Sequence, residues 1–157
     1  MPNKVYRYRL YPTKHQETKM NQTLELCRWV YNETLATRKN AWEQEQKTLS
    51  NYDTHYLLPS WKAQHPELKT VHSQVLQETQ QRVDLAFKAF FRRVKRGEKA
   101  GYPRFKGKGR YDSFTYPQLG FRLNDTHTLR ISKVGDVKIK LHRVLEIAGT
   151  IKRLNIV

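Results

Sequence analysis

Acidic residues are scarce in this chain: 14 aspartates and glutamates face 30 lysines and arginines over 157 residues, a formal charge of +16. That imbalance disfavours a basic partner and points to a polyanion, because like charge spread over a small surface repels itself until it is neutralised. Cysteine is scarcer still. The single thiol, Cys27, can form no internal disulfide, which argues against a stapled secreted fold and for a reducing, cytoplasmic setting. No apolar run approaches the roughly 20 residues that span a bilayer. Residues 1–11 alternate charged and apolar side chains, unlike the continuous core of a signal peptide. A membrane is therefore not an expected partner.

Catalytic patterns are missing as well. The six histidines (15, 55, 65, 72, 127, 142) form no HExxH pattern and have no partner cysteines, so zinc is not expected. There is no GxGxxG, and Gly107-Lys-Gly109 is too short for a phosphate loop and lacks the following Ser or Thr. Metal-dependent nucleases hold their ions with clustered carboxylates. Asp112, Asp125 and Asp136 instead stand about a dozen residues apart in turn-forming sequence, and read as turn residues. No catalytic residue, metal or cofactor is expected in this chain.

What is present is organised around residues 77–116. Leu76, Val83, Phe87, Phe90 and Val94 recur at helical spacing and make one apolar stripe. Lys88, Arg92, Arg93, Lys95 and Arg96 crowd the last turns, where cations suit the negative end of the helix dipole, and Gly97 stops the helix. Residues 98–110 then form a glycine-punctuated basic loop carrying Tyr102 and Phe105. Between Lys88 and Arg110 ten Lys or Arg stand against one acid, Glu98. Glycines let backbone approach phosphate, and aromatic rings can stack on bases, so the segment reads as a nucleic-acid surface rather than a solvated helix end.

Around it, residues 4–10 alternate with period two and predict a strand ended by Pro12. Thr13 and Gln16 have capping-box spacing, opening a helix through Met20, Leu24, Cys27, Tyr31 and Leu35 to about Trp42. Residues 43–48 read as a turn or a frayed helix end. Ser50 or Asn51 then caps a shorter helix holding Tyr52, His55, Tyr56 and Leu58. Pro59 and Pro66 are expected to break continuity around Trp61. After the long helix come short strand-like runs at 121–123, 129–131, 134–141 and 150–157, with turn residues Asn124-Asp125, Gly135 and Gly149 between them. The order predicts an α+β fold in which the N-terminal strand pairs with C-terminal ones, leaving the helices as an insertion in a small β-barrel. The apolar run at 154–157 reads as an exposed edge inviting a strand from another chain.

Several of these pieces occur together in one family. Arg9-Leu-Tyr-Pro12, Cys27-Arg-Trp-Val-Tyr-Asn32, Ser73-Gln-Val-Leu-Gln77, Ala86-Phe-Lys-Ala-Phe-Phe-Arg92, Gly101-Tyr-Pro-Arg-Phe-Lys106 and Gly149-Thr-Ile-Lys152 follow one another in the order and spacing of the OrfB/TnpB transposon-encoded proteins. The chain resembles the N-terminal part of these RNA-guided DNA endonucleases, relatives of type V CRISPR effectors. The resemblance implies a wedge-type β-barrel interrupted by a helical recognition insert. Its first strand would fall in 1–12, the insert in 13–103, and the rest of the barrel in 104–157, incomplete at the C-terminus. It also implies guide RNA and target DNA as partners, with sequence read by base pairing and a short target-adjacent motif read by protein.

Carried over by position, the residues facing that motif would be Asn51, Tyr52, His55, Ser73, Gln77, Thr115 and Tyr116. Gln77 suits the task, since a carboxamide can bond two edges of adenine. Lys88, Arg92, Arg93, Arg104, Lys106, Lys108 and Arg110 would hold RNA or heteroduplex phosphates, and Arg28, on the polar side of the first helix, is a further candidate by its charge. The family's RuvC-like nuclease domain, with its carboxylate triad and magnesium, has no counterpart in these 157 residues. A longer reading frame or a nuclease chain in trans would supply it. Two other classes stay open: a stand-alone helix-turn-helix DNA-binding regulator or transposition accessory factor, and a structural RNA-binding protein. The first is disfavoured by the polar linker after the first helix, longer than the 3–4-residue turn such a motif needs.

Overall fold

A computed structural model describes residues 3–124, 127–141 and 151–157. Asp125, His142, Gly149 and Thr150, all used in the readings above, lie outside them. Strand β1 (Leu10–Tyr11) leads into α1 (Lys14–Glu45). The predicted capping box is present. Gln16 N donates to Thr13 Oγ1 at 3.2 Å and Thr13 N to Gln16 Oε1 at 3.0 Å. The Gln16 Nε2 also donates to the carbonyl of Asp136 at 2.7 Å, tying the start of the helix to the C-terminal sheet. At 1.5 Å per residue α1 is roughly 48 Å long. It ends on Gln46 in the left-handed region (φ 54°).

Continuity breaks at both prolines as expected, and each begins the next segment. Pro59 sits in the first turn of α3 (Leu58–Gln64), and Pro66 opens a 3-10 turn (Pro66–Thr70). At those positions the missing N–H is one that no helical carbonyl would receive. The expected single short helix is therefore split, with α2 (Asn51–His55) capped by Ser50 and Asp53 before α3. Trp61 of α3 is buried edge-on against Trp29 of α1, ring centroids 5.8 Å apart. The longest of the later helices, α4 (Ser73–Lys95), packs along α1 and buries Val75, Leu76, Val83 and Phe87 against Cys27, Val30 and Leu35. Burial pushes the Cys27 thiol up to about 12, so it serves as a small apolar side chain.

The strands β3 (Phe121–Leu123), β4 (Thr128–Ile131) and β5 (Gly135–Ile139) fall where the sequence predicts them, and β1 joins them in an antiparallel sheet of order β1-β5-β4-β3. The N-terminal strand does pair with C-terminal ones, and the architecture is α+β. Two expectations are corrected. The first strand spans two residues rather than 4–10, Leu10 pairing with Ile139 and Tyr11 with Lys138. The run at 154–157 has a partner within the chain on one edge, the other staying open among the described residues. As β6 (Leu154–Ile156) it pairs with a strand the sequence did not announce, β2 (Phe114–Tyr116), placing Ile156 opposite Phe114. These two strands form a separate sheet, so the described residues make two sheets and no closed barrel. Gly120 after β2 is constrained by both conformation and space. Its φ is +95°, and a Cβ there would stand 2.8 Å from the Tyr116 ring and 3.0 Å from His72.

Candidate nucleic-acid interface

The apolar stripe of α4 is buried as far as Phe87, and Tyr102 half-covers Phe90. Beyond it the helix emerges from the core, and Phe91 and Val94 are more than half exposed among Arg92, Arg93, Lys95 and Arg96. The basic loop that follows is pinned at three points. Tyr102 packs edge-on to Phe87 and Phe90, with centroids 5.6 and 5.4 Å away. Lys106 is held through its backbone: its N–H donates to Asn32 Oδ1 at 2.7 Å, while Asn32 Nδ2 and Arg28 Nη1 donate to its carbonyl at 2.9 and 3.2 Å. Tyr111 is buried beside Tyr31, 5.9 Å between centroids. Between the pins Arg104, Phe105, Lys108 and Arg110 project outward. Two of the sequence motifs thus meet in space, the side chains of one gripping the main chain of the other.

Charge on this surface is largely uncompensated. Among the described residues Arg92, Arg93, Lys95, Arg96, Lys99, Arg104, Lys108 and Arg110 make no ion pair. Lys88 alone of the group reaches an acid, Asp84, at 3.0 Å. Asp84 also holds Arg38 at 2.9 Å, with both side chains nearly buried. Burial alone would raise the Asp84 carboxyl. The bonds from Arg38 and Lys88 more than reverse this and hold it below the ordinary carboxylate range. Arg28 is differently placed from the other phosphate candidates, since its guanidinium is shared between Glu25 and the Lys106 carbonyl. Lys106 is half-buried, its Nζ 5.5 Å from the Tyr31 ring centroid.

The residues carried over for motif reading divide by depth. His55 and Gln77 come together, His55 Nε2 lying 3.2 Å from the Gln77 carbonyl, at the rim of a groove of about 620 Å³. Gln74, Gln81, Gln118 and Lys152 line the same groove. Tyr52 is exposed on α2, its hydroxyl 2.9 Å from that of Tyr56, and Asn51 begins the helix half-buried. Ser73 is exposed and already accepts from Lys62 Nζ at 2.8 Å, so a basic group stands at that position. Thr115 and Tyr116 are buried and engaged internally. Thr115 Oγ1 accepts from Arg82 and donates to Asn155, and the Tyr116 hydroxyl donates to the Ser132 carbonyl at 2.8 Å.

Three residues that sequence reasoning passed over build this region. Arg82 bonds the Tyr111 hydroxyl, the Ser113 carbonyl and Thr115 while pairing with Glu78 at 2.9 Å, fastening the loop exit to α4. Burial raises the Tyr111 phenol to about 12, which keeps its proton in place. Asn32 forms the clamp already described. Gln74 accepts from Leu119 N at 3.0 Å and sets the groove wall. A signal for the groove existed in the spacing of Gln74, Gln77 and Gln81, which puts three carboxamides on one side of a helix. Among the described residues no three His, Cys, Asp or Glu side chains gather to hold a metal. No helix described is long and apolar enough to cross a membrane.

Residues 1–47 match the helix-turn-helix domain model of the OrfB class. In this chain that span holds β1 and one unbroken helix, with no turn inside it; the next helix, α2, begins at Asn51. The chain is 29% identical over 155 residues to InsQ of Escherichia coli, provisionally named an RNA-guided DNA endonuclease, covering 97% of this chain and 37% of InsQ. It is 32% identical over 107 residues to a protein of the same provisional name from Streptomyces pristinaespiralis, covering 67% of this chain and 25% of that protein. The chain is an OrfB/TnpB-family N-terminal part, spanning 25% to 37% of the length of these curated relatives.

Proposed function

We propose that this chain is the nucleic-acid-recognition half of a TnpB-like, RNA-guided DNA nuclease, working in the cytoplasm of a cell that carries the transposon. It binds guide RNA and the guide–target heteroduplex through the α4–β2 loop, and a target-adjacent DNA motif along the glutamine-lined groove. The observation that carries this reading is the pinned loop. Asn32, Tyr102 and Tyr111 fix its course, so the cations between them are presented in a set arrangement rather than on a mobile tail. Preorganised charge of this kind binds phosphates without choosing sequence. Choice falls to the groove, where Gln77 is exposed beside His55. Cleavage would belong to a nuclease domain or chain that brings its own carboxylates and magnesium.

Purification of the chain with sequencing of the RNA that accompanies it tests the partner: a single transposon-derived transcript is expected, and an unselective mixture would refute guide binding. Gln77→Ala tests the groove. It is expected to change the preference among target-adjacent motifs while leaving affinity for duplexes without a motif intact. An equal loss on every sequence would remove Gln77 from the reading role.

A further inference from the structure

A second body of unpaired positive charge lies away from the α4–β2 loop. A groove of about 840 Å³ runs between the N-terminal half of α1, the 3-10 turn and the β3–β4–β5 strands. Lys19, Lys69, Arg122, Arg130 and Lys133 line it, and no carboxylate does. None of the five makes an ion pair among the described residues. At about 100° per residue, Lys19 and Thr23 of this groove and Arg28 and Asn32 of the loop clamp fall on nearly opposite sides of α1.

Two features of the groove run against the stability of the isolated fold. Arg122 and Arg130 stand directly opposite each other across β3 and β4, a like-charge pairing that sheets disfavour. Asp136 is the next residue across, but its carboxylate forms no ion pair with Arg130 and lies 3.5 Å from the Asn124 amide. Lys133, at the tip of the β4–β5 turn, holds the left-handed conformation (φ 69°) that Gly or Asn adopts more readily. Outliers of this kind gather where a ligand is met. The field reaches inward too: burial and then Lys133 depress both Lys62 and His72 below their ordinary values.

We propose that this groove is a second nucleic-acid backbone site, taking duplex phosphates independently of the α4–β2 loop. An opposed arginine pair flanked by lysines on two other elements fits a ligand with several anionic charges in a row, as a sugar–phosphate strand provides. The site goes beyond the reading above, which uses only the loop and the glutamine groove.

The test measures affinity for a mixed-sequence DNA duplex of roughly 20 bp from about 50 to 200 mM salt, where each phosphate contact contributes about 0.9 to the log–log slope. Lys133→Asn removes a charge and relieves the left-handed lysine, so it is expected to raise Tm while lowering the slope by about 0.9. Arg122→Gln with Arg130→Gln should lower it by about 1.8, additively with substitutions in the loop. In the wild-type chain the His72 imidazole, faced by Lys62, Lys133 and Tyr116 and by the Gln74 N–H, should titrate at higher pH once the duplex is bound. An unchanged slope in all groove variants would overturn the proposal, as would tighter binding of polyglutamate than of the duplex through these same residues. A slope lowered by groove variants and untouched by loop variants would sink the loop reading and leave this one standing.

Discussion

Replacing Asn32 with Ala separates preorganisation from charge. The substitution removes two hydrogen bonds, of 2.7 and 2.9 Å, that hold the Lys106 main chain against α1, and leaves only Arg28 on its carbonyl. Each bond is partly buried and contributes about 1 kcal/mol net, so the loop loses about 2 kcal/mol of docking energy. At 1.4 kcal/mol per decade this is roughly 30-fold in the docked-to-undocked ratio. Nucleic acid must then order the loop as it binds, and affinity falls by up to that factor. No charge changes, so the salt slope should stay as in the wild type. Fluorescence anisotropy over a salt series, with hydrogen exchange of residues 104–110, reads both quantities. A slope that falls along with the affinity would refute the idea that Asn32 acts by holding the loop, and so would unaltered affinity with faster loop exchange.

Two predictions concern pH and the packing beneath the interface. Asp84 has its folded pKa below its ordinary 3.8, so its contribution is present above about pH 4 and is lost as pH falls through the folded value. Asp84→Asn leaves Arg38 nearly buried without its partner and should cost about 3 kcal/mol near neutrality in denaturant unfolding, while flattening the acid limb. A loss under 1 kcal/mol would contradict the pairing. His72 caps α4 by accepting from Gln74 N through Nδ1 at 3.3 Å, which requires the neutral ring. Burial, Lys133 and Lys62 lower its pKa, so the cap is intact above 6.5 and stability falls as pH drops below that value. His72→Asn keeps a capping side chain and should give a Tm that no longer varies between about pH 7 and 5; persistence of the slope would place the titration elsewhere.

What could be read from the sequence was local. Thr13 and Gln16 stand three residues apart, and the cap they form is the one observed. The stripe through Leu76, Val83 and Phe87 marks the buried side of α4 for the same reason, although Val94 at its end is exposed because no described residue covers that turn. Contacts over long separations were not legible. Phe114-Thr-Tyr116 shows no alternation, being buried at all three positions, and becomes a strand only through a partner 40 residues on. Asn32 and Arg82 look like ordinary polar helix residues until the chain returns 74 and about 30 residues later. Arg28 read as a phosphate contact on charge alone, and the structure turns its guanidinium toward Glu25 and Lys106.

The central claim is that unpaired cations on a pinned loop hold phosphates. The direct measurement is the salt dependence of duplex binding in a chain carrying Arg92→Ala, Arg93→Ala and Arg104→Ala, none of which has an internal partner among the described residues. Three lost contacts should lower the log–log slope by about 2.7 and weaken binding of every sequence alike. A triple variant with wild-type affinity and slope would contradict the account.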